Sequence, residues 1–87
     1  MSLQLVWDGG GEATVVRTDG NLVELSSSRS SPPGSPLVAS VQLQSASKVR
    51  VKVHGCTKQL DGRYLIRGRW VDLTRPMREE LVVSSGQ

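Results

Sequence analysis

Residues 48–73, KVRVKVHGCTKQLDGRYLIRGRWVDL, decide the fold. Val49, Val51 and Val53 alternate with Arg50, Lys52 and His54, the two-residue period of a strand with one buried face. Residues 56–62 carry turn chemistry, with Asp61-Gly62 the strongest dipeptide. On the return strand Tyr64, Ile66, Gly68 and Trp70 fall on one face, and Leu65, Arg67, Arg69 and Val71 on the other. One side of the hairpin is therefore apolar and aromatic, the other mostly basic. Gly68 stands in mid-strand, where it weakens pairing but permits a bend or bulge. A bent hairpin with one apolar face makes the wall of a small barrel.

Upstream, Leu3, Leu5 and Trp7 alternate with Gln4 and Val6, and this strand stops at Asp8-Gly9-Gly10-Gly11. A phosphate loop would need a helix after the glycines, and another strand follows instead. That strand is residues 12–18, with Ala13, Val15 and Arg17 expected opposite Thr14 and Val16. Asp19-Gly20-Asn21 turns the chain into a third strand, 22–26, with Leu22 and Glu24 on one face and Val23 and Leu25 on the other. Residues 26–36, SSSRSSPPGSP, read as a connecting loop, because three prolines and a serine run suit neither ladder nor helix. The alternative is a flexible flap or a docking and modification site, and residues 33–36 have PxxP form. A fourth strand is expected over 37–44 and a turn over 45–47. After the hairpin, Thr74-Arg75-Pro76 reads as a helix start capped by Thr74. Glu79 and Glu80 are expected near its positive end, Met77 and Leu81 on its docking face, and residues 84–87 as a frayed tail.

Eighty-seven residues predict one domain, 1–87, with one modest core. Trp7, Trp70 and Tyr64 are the only aromatics, so that core is built from Val, Leu and Ile, and the valines among Gly, Ser and Pro turns predict an all-β fold. The net charge of +3 permits an acidic partner, a phosphate ligand or nucleic acid without requiring one. Cys56 is alone, which excludes an intrachain disulfide and a cysteine-built metal site. Residues 1–8 lack the basic and apolar runs of a signal peptide, and no run is long enough to span a bilayer. A cytoplasmic protein without membrane insertion is the expectation.

The runs Ala13-Thr14-Val15-Val16, Leu22-Val23-Glu24-Leu25 and Pro32-Pro33-Gly34-Ser35-Pro36-Leu37 resemble the first half of a PilZ domain. Residues 49–53, 63–73 and 78–81 are similar to its second half. The resemblance implies a bacterial signalling module, a small six-stranded antiparallel barrel closed by a short helix, of a family that usually binds cyclic di-GMP. The family holds that ligand with RxxxR ahead of the barrel and [D/N]xSxxG after an early strand. Arginine forks suit phosphate and guanine, and small residues let the backbone approach a base. Here no Arg or Lys precedes Arg17. The second motif reads Glu24-Leu25-Ser26-Ser27-Ser28-Arg29, with Glu at the acid or amide position and Arg at the glycine position. No ligand residue is carried over.

The expected function is therefore a non-enzymatic PilZ-like regulatory or adaptor domain acting by protein contact, with no cofactor and no cyclic di-GMP. The expected partner site is Arg63, Leu65, Arg67, Arg69 and Val71, on the outer face of the hairpin. Lys48, Arg50, Lys52, Arg67 and Arg69 form a basic band there, whose plain role is a solvated face that keeps sheet edges soluble. One alternative is a cyclic di-GMP receptor using Arg17, Arg29 and the hairpin arginines. Another is a small nucleic-acid-binding barrel, which would need aromatics among the cations, whereas Tyr64 and Trp70 fall on the opposite face. The lone His54 reads as polar surface, no Gly-x-Ser-x-Gly elbow is present, and each of Asp8, Asp19, Asp61 and Asp72 falls at a turn. Nothing here predicts an enzyme. Both tryptophans are expected in the core.

Overall fold

The computed structural model describes residues 3–44 and 47–84. Six strands, β1 (Gln4–Trp7), β2 (Glu12–Thr18), β3 (Leu22–Ser27), β4 (Pro36–Ser40), β5 (Lys48–Lys58) and β6 (Tyr64–Val71), are followed by one helix, α1 (Arg75–Ser84). All neighbouring strands are antiparallel, and the sheet closes on itself in the order β1-β2-β3-β6-β5-β4. The decisive hairpin pairs Val51 with Trp70 and Val53 with Gly68, and Val51, Val53, Ile66 and Trp70 all point into the barrel. Leu5, Val15 and Leu25 meet them from β1, β2 and β3. Burying each such side chain contributes about 1.5–3 kcal/mol, so this shared interior is the main stabilising term. Among the described residues no helix is long and apolar enough to cross a membrane.

The structure departs from the sequence reading at several points, each for a local reason. β5 runs on to Lys58, so the turn is 59–63 rather than 56–62. Gln59 N–H donates to the Arg63 carbonyl at 2.7 Å, Asp61 accepts from Arg63 N–H at 2.9 Å, and Gly62 takes a φ of 85°. The bulge lies not at Gly68 but opposite it, where the register shifts between Val53 and Gly55 and leaves His54 as the extra residue. Gly68 is required because a Cβ there would sit 2.3 Å from the Lys52 carbonyl oxygen. A second shift, between Val15 and Arg17, makes Val16 the extra residue of β2. Arg17 therefore faces solvent rather than sharing the buried face of Ala13 and Val15, and Thr18 turns inward in its place.

β3 runs one residue past the expected 22–26, to Ser27, which the reading had left in the loop, and β4 is Pro36–Ser40 rather than 37–44. Pro36 enters the ladder as the first residue of its strand, a position at which its missing N–H is tolerated. The expected turn at 45–47 falls partly on residues 45 and 46, which lie outside the described residues, as do 85–87 of the expected tail; Ser84 closes the helix. In α1, Leu81 is fully buried and Met77 half-buried, as their spacing predicts. Glu79 and Glu80 fall in the second turn, not beside the positive end. Glu79 pairs with Arg75 at 3.3 Å, and Glu80 accepts from the Gln44 backbone N–H. The Thr74 carbonyl accepts from Arg78 N–H, while its hydroxyl makes no cap bond among the described residues.

Gly68→Ala forces a methyl against the Lys52 backbone. We expect it to destabilise the chain by about 1–3 kcal/mol, the usual range for overpacking, measured by urea unfolding.

Candidate functional site

The outer wall of β3, β6 and β5 carries the residues expected to bind a partner. Leu65, Arg67, Arg69 and Val71 project outward from β6, with the two arginines exposed and Leu65 and Val71 half-buried. Arg63 lies before the strand and its guanidinium is engaged. Its Nε donates to Ser26 Oγ at 2.9 Å, a terminal nitrogen donates to the Ser26 carbonyl at 2.9 Å, and Glu12 lies 3.7 Å away. Arg63 thus staples the hairpin to β3.

Register places Glu24 between two cations, opposite Arg17 on β2 and Arg67 on β6. Its carboxylate oxygens lie 3.2 Å from Arg17 Nε and 3.9 Å from Arg67 Nε. Such exposed pairs contribute about 0–1 kcal/mol each, so they order the surface rather than hold the barrel together. The two bulges flank this row, and the backbone between them opens a surface cleft of about 490 Å³ lined by Arg17, Thr18, Leu22, Glu24, His54 and Arg67. Asp19 closes one end of it. Its Oδ1 accepts the N–H groups of Asn21 and Leu22 at 2.8 Å each, and these two bonds hold its carboxyl below the usual 3.8.

Thr18 and Ser27, which the sequence reading did not single out, support these surfaces from within. Thr18 Oγ1 accepts from Trp70 Nε1 at 2.9 Å and from Gly20 N–H at 3.1 Å, and donates to the Leu22 carbonyl at 2.7 Å. Ser27 Oγ accepts from Trp7 Nε1 at 3.0 Å and from Arg29 N–H at 3.1 Å, and donates to the Arg29 carbonyl at 2.8 Å. The available signal was Arg17: strict alternation from Ala13 and Val15 would bury its charge, and the bulge that avoids this leaves Val16 exposed and brings Thr18 in. From Ser27 the chain leads to Arg29, whose guanidinium donates to the carbonyls of Gly9 and Gly10 at 2.8 and 3.0 Å. A second cleft of about 480 Å³ lies there, between the glycine turn and the Ser-Pro loop.

The chemistry on offer is recognition of anions and apolar groups. His54 is exposed on its bulge, and among the described residues no carboxylate or hydroxyl orients it. No group of three or more His, Cys, Asp or Glu converges on a metal-sized space among the described residues. In the basic band, Lys48 pairs with Asp8 at 2.9 Å and Arg50 with Asp72 at 3.5 Å. No family model, curated protein or solved structure matches this chain.

Two outcomes follow from the site. Thr18→Val removes the acceptor of Trp70 and should destabilise the fold by about 1–3 kcal/mol in urea unfolding, since it leaves a buried indole N–H unsatisfied. Asp19 titrates below its unfolded value, so its contribution is fully present above that value and is lost as pH falls through the folded one. The Asn21 and Leu22 amide resonances should hold steady through the neutral range and reach their midpoint of change below the ordinary aspartate value.

Proposed function

We propose that the chain is a bacterial, cytoplasmic regulatory or adaptor domain of the PilZ type, which acts through protein contact, catalyses nothing and does not bind cyclic di-GMP. The closed six-stranded barrel with its short helix agrees with the architecture that the resemblance implies. The observation that carries the ligand part of this reading is the state of the motif positions. Ser26, the one residue that fits the family's second motif, has its hydroxyl and carbonyl taken by Arg63. Arg29, at the glycine position, is folded onto the Gly9 and Gly10 carbonyls rather than held out for a phosphate. A nucleotide would have to break these bonds before forming its own.

The nucleic-acid alternative is weakened by the placement of the aromatics. Trp7 and Trp70 are buried, with their indole N–H groups bonded inside, so the half-buried Tyr64 is the one ring left to a base, and a stacking platform needs several. A protein partner instead meets the outer wall of β6, where Leu65 and Val71 provide apolar area among Arg67 and Arg69. Apolar centres supply most affinity, and the charges around them steer encounter.

Calorimetric titration with cyclic di-GMP tests the reading. Flat heats through low-micromolar ligand are expected. A saturable one-site isotherm overturns the adaptor reading, and its loss in Arg67→Ala or Arg69→Ala assigns the binding to the hairpin arginines. Leu65→Glu, with the fold checked by circular dichroism, should weaken capture of the partner. Unaltered capture by the folded variant places the interface elsewhere.

A further inference from the structure

One row on the outer wall is electrostatically incomplete. Leu22, Arg69, Lys52 and Pro36 stand side by side across β3, β6, β5 and β4, each in register with the next and all exposed. Arg69 and Lys52 are directly opposed cross-strand neighbours of like charge, an arrangement that destabilises a sheet. Every other cation of the band has an acid: Lys48 has Asp8, Arg50 has Asp72, and Arg67 shares Glu24. Among the described residues Arg69 and Lys52 have none. A carboxylate placed between them would remove their repulsion and gain two attractions.

The residues on either side of the pair specify more than an anion. Leu22, 56% exposed, stands beyond Arg69, and Pro36 stands beyond Lys52, so the row reads apolar, cation, cation, apolar. Three strand spacings of about 4.8 Å put its ends about 14 Å apart measured along the curved wall, so a segment lying on all four residues follows that curve. An extended peptide rises about 3.4 Å per residue and shows alternate side chains to one face, so positions i and i+4 span the same distance, with i+2 at the centre. Resting on the adaptor reading, we infer that this row docks an acidic protein segment of pattern apolar-x-acid-x-apolar, crossing the strands in extended form. Its acid sits between Arg69 and Lys52, and its apolar side chains lie on Leu22 and Pro36. A nucleic-acid strand would find the two charges but no use for the apolar ends, and no ring in the row on which to stack.

The test is a 15N NMR titration of the full chain with the acetylated, amidated peptide LSESL. Saturable amide shifts at Leu22, Lys52 and Arg69 are expected, at least fivefold weaker for the peptide LSQSL and weakened by raising salt from 50 to 300 mM. Lys52→Glu should abolish these shifts yet raise the thermal midpoint by about 2–6 °C, because it turns a like-charge pair into an opposite one. Arg69→Gln, which keeps the stem, serves as the second variant and should lose binding in the same way. The inference is overturned if LSESL gives no saturable shifts in the row, if LSQSL binds equally, if inorganic phosphate or a thymidine octanucleotide shifts the same amides at lower concentration, or if Lys52→Glu lowers the midpoint. The adaptor reading fails separately. A positive cyclic di-GMP isotherm with intact LSESL shifts removes that reading alone, whereas a flat isotherm without LSESL shifts removes only this inference.

Discussion

Two indole N–H groups buried inside the barrel set the terms for the rest of the structure. Trp7 and Trp70 are the largest apolar side chains available, and a small barrel without phenylalanine needs both to fill its interior. Each brings a polar atom that would be left unsatisfied unless a hydroxyl stood at the right depth. Ser27 and Thr18 supply those hydroxyls, and each uses its one donor and both acceptor sites. The bonds also cross the sheet, joining β1 to the end of β3 and β6 to the end of β2. The same hydroxyls grip the turn or loop that follows, so filling the core and fixing the surface loops are one event. That is why the glycine turn, Arg29 and the 19–21 hairpin have defined positions.

Charge on this barrel is distributed with a similar economy. Two acids just past strand ends are matched with nearby cations, Asp8 with Lys48 and Asp72 with Arg50. Glu24 serves two arginines at once. Asp72 also adopts a left-handed φ of 57°, a conformation that Asp tolerates better than most, and so ends β6 before α1 begins. None of these exposed pairs contributes much to stability, but together they decide which cations remain available to a visitor.

Much of the fold was legible because alternation is a strong signal when one face is buried. Val49, Val51 and Val53, and Ile66 and Trp70, could be read directly as inward residues, and Met77 with Leu81 as a docking face. What was not legible is register. A bulge is invisible to a two-residue period until it breaks it, which is why Arg17 was assigned inward and Thr18 missed. Strand ends blurred for a related reason: Ser26 and Ser27 have loop-like composition but are held in the ladder by β6, a long-range effect no local window contains. For the site, the outward set Leu65, Arg67, Arg69 and Val71 was readable from parity alone. The engagement of Arg63 by Ser26, and the exposure of Leu22 beside Arg69, required the order in which strands meet.

The barrel closes at its narrowest join. β1 and β4 meet only through Val6 with Ser40 and Trp7 with Ala39, helped by one bond from Asp8 N–H to the Val38 carbonyl, whereas β5 and β6 are in register along nearly their whole length. The least strand pairing therefore holds the barrel shut at this seam, and opening it would part β1 from β4 while the β3-β6-β5 wall stays paired. Moving β1 would part Trp7 Nε1 from Ser27 Oγ and draw the Gly9 and Gly10 carbonyls away from Arg29.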